Sequence, residues 1–298
     1  MEASGAKQKV LITGASGFLG RYLLKTAPYH YQVIAQYRSK PPNEYGRDVR
    51  FLYFDFFDDD WRALEGIRPD IIIHTAAMAS IDECEVKPEI AYHFNFEVTR
   101  RLVDYAAEQN IKFIFISSDV VFDGQKGDYS ETDEPNPLNV YAHSKVIAEN
   151  YILENYPSAV VVRPSLFYGS ALNGRPSFTE TMLRSLHAGK QVFVFTDQFR
   201  TPILVNNLSH ALWELAETDF RGILHLGGGS PKISRMEMGE LLCEMFKLDQ
   251  NLLVPMKSEQ ANLVANRPLD CSLDTSLSRS LLKTRFCDCR NGFSLAYR

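Results

Sequence analysis

No stretch of this 298-residue chain approaches the roughly 20 consecutive apolar residues that span a bilayer. The opening segment MEASGAKQKVLITGASG has no long apolar run ahead of a cleavage-like site. The expectation is a cytoplasmic protein with no membrane partner. Cysteine is scarce, with five in all (Cys84, Cys243, Cys271, Cys287 and Cys289). The count is odd, and the close pair Cys287-Asp288-Cys289 lacks a second Cys or His pair to complete a metal site, so reduced thiols and no metal are expected. Excess positive charge is missing too: 32 Lys and Arg against 37 Asp and Glu give a net charge of -5, and the cations are scattered. That distribution offers no footprint for a polyanion, which excludes nucleic acid as an expected partner. Internal repeats and low-complexity tracts are absent as well.

What is present suits a large buried core: 45% of residues are hydrophobic and 23% charged. Apolar, β-branched runs of strand length recur at 9–13, 31–37, 49–55, 70–74, 112–117 and 159–164. Their near-continuous hydrophobicity implies burial on both faces, as in a parallel sheet covered by helices. Helical stretches alternate with them: FLGRYLLKTA, DDDWRALEGI, EIAYHFNFEVTRRLVDYAAEQ and YAHSKVIAENYILENY. The alternation predicts an α/β fold with a Rossmann-type, doubly wound parallel sheet. From about Phe167 the pattern loosens into loop-like SALNGRPS, DQFRTP and GGGSPKIS between helical segments. Residues 1–166 are therefore read as a dinucleotide-binding domain that 202–224 rejoins. Residues 167–201 and 225–298 are read as a small, discontinuous substrate lobe.

Directly after the first strand, TGASGFLG places Gly14, Gly17 and Gly20 in the pattern G-x-x-G-x-x-G. Glycine there lets the backbone approach a pyrophosphate, while the amides and positive dipole end of the following helix hold the anion. The second strand ends in AQYRSK. An acidic residue at that point would bind the ribose hydroxyls of NAD; Arg38 and Lys40 favour a 2'-phosphate, hence NADP(H). Asp55, closing the third strand, is placed to accept from an adenine amino group or to cap the next helix. In NVYAHSK, Tyr141 and Lys145 lie four residues apart, on one face of a helix if this segment opens one.

TGASGFLG, HTAAMASIDECE, FISSDVVFDG, NVYAHSK and VVRPSLFYG, in that order, resemble the extended short-chain dehydrogenase/reductase family over almost the whole chain. Within it, SSDVVFDG, DQFRTP and RPLDCSLD are most similar to motifs of the dTDP-4-dehydrorhamnose reductases. The resemblance implies a catalytic triad of Ser118, Tyr141 and Lys145. The Tyr141 phenol would protonate the oxygen formed as hydride reaches a carbonyl, Lys145 would lower its pKa and bind the nicotinamide ribose, and Ser118 would hydrogen-bond the same carbonyl. It further implies cofactor contacts from Ser16, Phe18, Leu19, Phe56, Ala76 and Ala77. Substrate contacts are implied for Asp119, Val120, Leu166 and Arg267, and Asn95 is implied to organise backbone near the site. The implied substrate is a nucleotide sugar whose 4-keto group is reduced, and a homodimer is compatible with it.

The departures fall in the sugar pocket. Val120 stands where those reductases carry Tyr, and Leu166 where they carry an aromatic residue; Tyr22 replaces a glutamate that some members use for magnesium. Two further readings therefore stay open. One is a nucleotide-sugar epimerase or dehydratase, although Val120 also replaces the glutamate that elimination needs. The other is a non-catalytic NADP-binding subunit resembling the regulatory β subunit of methionine adenosyltransferase, which keeps the Tyr and Lys.

Overall fold

The computed structural model describes residues 7–42, 49–172 and 174–297. Seven strands form one sheet: β1 (Gln8–Thr13), β2 (Tyr31–Tyr37), β3 (Val49–Tyr53), β4 (Ile71–His74), β5 (Lys112–Ile116), β6 (Val160–Pro164) and β7 (Gly222–Leu226). Their order is β3-β2-β1-β4-β5-β6-β7, and every neighbouring pair is parallel. The direction of winding reverses between β1 and β4, so a crevice opens at the carboxyl ends of those two strands. Six strands lie where the apolar runs place them, β3 stopping at Tyr53 rather than continuing to Asp55. The seventh, GILHL, is not evident in the sequence, because His225 interrupts an already short apolar run.

Both faces of the sheet are covered. Val10 and Ile12 of β1 pack with Ile73, Ile114 and Val162 beneath α1 (Phe18–Lys25). The alternate residue Leu11 points the other way, joining Ile72, Phe113, Phe115 and Val161 beneath α2 (Val98–Gln109) and α3 (Val140–Asn155). This two-sided burial, worth roughly 1.5–3 kcal/mol for each large aliphatic side chain, is why the strands read as continuous apolar runs. The first face is completed by α4 (Val205–Glu217), whose Trp213 stacks on Tyr31 with centroids 5.3 Å apart and donates Nε1–H to Leu23 O at 3.1 Å.

A separate cluster of Tyr168, Met182, Leu186, Val194, Met238, Leu242, Leu253 and Phe293 forms the core of the C-terminal part. There the backbone pairs only in two-stranded pieces, such as Phe199–Arg200 with Ile233–Ser234, which leads into α5 (Arg235–Phe246). Among the described residues, no helix is long and apolar enough to cross a membrane.

Candidate active site

The glycine turn is held by close backbone approach. Gly14 has φ +65°, and a Cβ on it would lie 2.7 Å from Ala76 Cα, so β1 and the segment after β4 touch there with no room for a side chain. Gln36 secures the turn from β2: its Oε1 accepts from Gly14 N (2.8 Å), its Nε2 donates to Phe54 O (2.6 Å), and its carbonyl accepts from Ala15 N (2.9 Å). Gly17 caps α1 without a side-chain acceptor, and the first turn carries no acidic residue. The helix thus presents amides to an anion with no carboxylate competing for them.

A cavity of about 610 Å³ opens at this point, in the range of small-ligand sites. Of the residues expected to touch a cofactor, Gly14, Ser16, Gly17, Arg38, Phe56, Ala76 and Ala77 line it. Others do not. Phe18 stacks on Phe167, Leu19 is buried in the core, Gly20 packs against Ala15, and Asp55 turns its carboxylate back to Phe57 N at 3.1 Å. Lys40 is exposed outside the cavity wall. The sequence reading missed Phe57, whose ring lies parallel to His93 at 4.7 Å on the rim, and Phe94, over which the Arg38 guanidinium sits at 5.3 Å. It also missed Gln36, although a lone amide inside the apolar run VIAQY was a visible signal.

The second half of the site rests on α3. Asn139 caps it, accepting from Ala142 N at 2.9 Å, and fixes where the helix begins. Its buried stripe includes Tyr141, Ser144, Lys145, Ala148, Glu149 and Ile152, at the three- and four-residue spacing of one helical face. Tyr141 and Lys145 therefore project together, and Ser118, just past the end of β5, lies near the Tyr141 phenol, its hydroxyl donating to Asp119 Oδ1 at 3.3 Å and accepting from Val120 N at 3.4 Å. Burial raises the Tyr141 pKa above that of an ordinary phenol, with Asp119 and Cys84 adding to the rise while the Ser118 hydroxyl opposes it. Burial lowers Lys145 to about 7, against the opposing pull of Glu149. Its ammonium donates to Ile116 O at 2.7 Å and lies 4.4 Å from the Phe115 ring centre.

Asn95 sits in a π-helical turn, His93–Glu97, ahead of α2. It is fully buried, accepts from Met78 N (2.8 Å), and donates to Met78 O (3.1 Å) and Ser144 Oγ (3.0 Å), tying the cavity wall to the helix of Tyr141. Beneath Lys145, Glu149 takes Arg163 Nη2 at 2.6 Å and the Ser117 hydroxyl, both members of the ion pair being almost fully buried.

On the other side of Ser118, Asp119 is buried against Ser165 Oγ and Leu166 N, both at 3.2 Å, and pairs with Arg200 Nε at 3.4 Å. Desolvation raises its pKa against the pull of Arg200. Val120 closes over Tyr141 in one apolar cluster with Cys84, Ala91 and Ala142, and Leu166 packs on the C-terminal core. Arg267 is held by Asp82 at 2.9 Å and is not part of the cavity wall. Arg200 and Arg235, absent from the sequence expectations, complete this polar group. Elsewhere His74 is clasped by Thr13 and Thr99 and lowered to about 3 by burial, so it is a neutral structural side chain. Among the described residues, no group of three or more His, Cys, Asp or Glu side chains is arranged to hold a metal ion.

Known proteins resemble this chain over nearly its whole length. The "Probable low-salt glycan biosynthesis reductase Agl14" of Haloferax volcanii is 30% identical over 271 residues, covering 89% of each chain. Methionine adenosyltransferase 2 subunit beta of Danio rerio is 29% identical over 282 residues, 90% of this chain and 83% of that protein. Among solved structures, a hypothetical dTDP-4-dehydrorhamnose reductase from Sulfolobus tokodaii superimposes with a TM-score of 0.83 at 34% identity, covering 96% of this chain and 99% of the other. The dTDP-4-dehydrorhamnose reductase of Bacillus anthracis, solved in complex with NADP, gives 0.82 at 25% identity, covering 98% and 99%. The family model described as the RmlD substrate binding domain matches residues 8–297, nearly the whole chain, and the protein belongs to that family.

Proposed function

We propose that this protein is an NADPH-dependent reductase of the 4-keto group of a nucleotide-linked deoxyhexose, with Tyr141 as proton donor. The observation that supports the reading is that Tyr141 and Lys145 share one buried face of α3 near Ser118, with Met78 of the cradle's cavity wall packed against the apolar cluster of Tyr141. The cradle suits a dinucleotide, since Gly14, Ser16 and Gly17 line the cavity at the start of a helix with no acidic residue in its first turn, and Arg38 stands on the cavity rim. Gly14, Ser16 and Gly17 would hold the pyrophosphate, Arg38 the 2'-phosphate, and Lys145 the nicotinamide ribose. When bound, the reduced nicotinamide supplies the hydride.

The chain's own groups then manage the oxygen. Ser118 Oγ orients the carbonyl by hydrogen bonding, and Tyr141 Oη gives its proton to the developing alkoxide. Reduction requires the phenol to start protonated, and its buried setting favours that form. Epimerisation would need Tyr141 to begin as a base, so the same setting weighs against it. The test is NADPH consumption with dTDP-4-dehydro-6-deoxy-L-lyxo-hexose, using Tyr141→Phe. The variant should lose roughly 10²–10⁴-fold in turnover while binding NADPH as the parent does; full activity would sink the mechanism.

One observation favours a second reading, a regulatory subunit that binds NADP without turnover. Val120 packs against a Tyr141 that is only 9% exposed, which narrows access to the phenol, and full-length similarity extends to the methionine adenosyltransferase subunit. Absence of turnover on every 4-keto sugar, together with tight NADPH binding and copurification of a catalytic subunit, would select it.

A further inference from the structure

Three arginines converge beyond Ser118, and two of them are already engaged. Arg200 pairs with Asp119 and also donates to the carbonyls of Phe199 (2.6 Å), Leu269 (2.8 Å) and Pro268 (3.2 Å). Arg267 pairs with Asp82 and donates to Ala265 O at 2.9 Å. Arg235 differs. It opens α5, where the Ser234–Glu237 capping box fixes the backbone, its guanidinium carbon sits 4.3 Å from the centre of the Phe178 ring, and its Nε donates to Gln198 Oε1 at 3.2 Å. Among the described residues, no carboxylate pairs with it and no acceptor meets its two terminal nitrogens. Arg235 is only partly buried, and those nitrogens are not sealed in the core.

The three guanidiniums are matched by two carboxylates, Asp119 and Asp82, which leaves one positive charge uncompensated. Arg235 feels Arg200, Arg267 and Asp119 together, which places it within electrostatic reach of the residue that follows Ser118. A neutral side chain could stack on Phe178 and bond Gln198 equally well, so these contacts leave the positive charge unused. The planar fork with both terminal nitrogens unoccupied is the arrangement that grips an oxyanion.

Building on the nucleotide-sugar reading above, we propose that Arg235 is a specificity-determining residue that takes an oxyanion of the substrate, either a phosphate of its nucleoside diphosphate or a carboxylate on its sugar. The test is calorimetric titration of the NADPH-saturated protein with dTDP, inorganic pyrophosphate and D-glucuronate, comparing wild type with Arg235→Met. The Met side chain keeps the packing on Phe178 and removes the charge; Arg235→Gln, which retains a polar group for Gln198, is the second variant should the first not fold. A loss of roughly ten- to a hundredfold in affinity for dTDP and pyrophosphate supports the proposal and identifies a phosphate. A similar loss confined to D-glucuronate supports it and identifies a carboxylate. Unchanged affinity for all three overturns it. Unaltered NADPH affinity in the variant separates this outcome from damage to the cradle, and absence of turnover in the wild type would sink the reductase reading while leaving the titration interpretable.

Discussion

Two buried charged groups flank the Tyr141–Lys145 pair, and they are built on opposite plans. Under α3, Glu149 and Arg163 are 1% and 2% exposed and joined at 2.6 Å, with Ser117 bonding the same carboxylate. One cation meets one anion, although Arg163 Nη1 is buried without an acceptor. Across Ser118, Asp119 shares its surroundings with Arg200, Arg235 and Arg267, and the sum is positive. A buried pair whose charges cancel serves the architecture, whereas a surplus of one sign leaves charge for something brought from outside. The contrast separates structural charge from ligand-facing charge without reference to any sequence motif.

The strongest way to break the balanced group is Glu149→Gln, which leaves Arg163 buried without its counter-ion. Urea denaturation should show a loss of about 3–5 kcal/mol, and replacing both partners with Met should recover most of it. Recovery failing in the double variant would mean the pair does more than balance charge.

A smaller effect is expected at Lys145, which sits between the two groups. Its folded pKa of about 7 lies below the usual 10.5, so the unfolded chain binds the extra proton between those values and stability rises with pH across that interval. Lys145→Met removes this penalty: the variant should melt higher than wild type at neutral and lower pH, with the advantage shrinking as pH approaches 10. An advantage independent of pH would show that the ammonium is not what burial penalises.

The smallest effect belongs to the group with the surplus. Asp119 keeps its proton to higher pH in the fold than in the unfolded chain, so its contribution to stability falls as pH rises through and above about 4. Asp119→Asn should therefore cost only about 1 kcal/mol at neutral pH and flatten that part of the stability curve. A loss as large as that of Glu149→Gln would erase the distinction between the two groups.

The sheet was legible because both-face burial writes itself as uninterrupted apolar runs, and β7 was not because His225 breaks its run. Gly14, Ser118, Tyr141 and Lys145 could be singled out as candidates because each is tied to a local pattern: a turn, a strand end, one helical turn. Gln36 and Phe57 could not be assigned contacts, since their partners lie on other strands or segments of the crevice. Arg200 and Arg235 were hidden for a further reason. They come from short, irregular pieces of the C-terminal part, where no periodicity announces which side chains converge. The bond between Asn95 and Met78 belongs to the same category, because the helical pattern from Glu89 to Gln109 gives no hint of a change in winding.

That change of winding constrains the length of the chain. The five residues His93–Glu97 form a π turn, one residue wider than the regular helix around it. Deleting a single residue there would restore uniform α geometry and swing the side chain of Asn95 by about 100° around the axis, away from Met78. Surface loops in general tolerate insertion or loss by bulging outward. This helix has no such freedom, and related chains that preserve the crevice are expected to keep its residue count between Pro88 and Gln109.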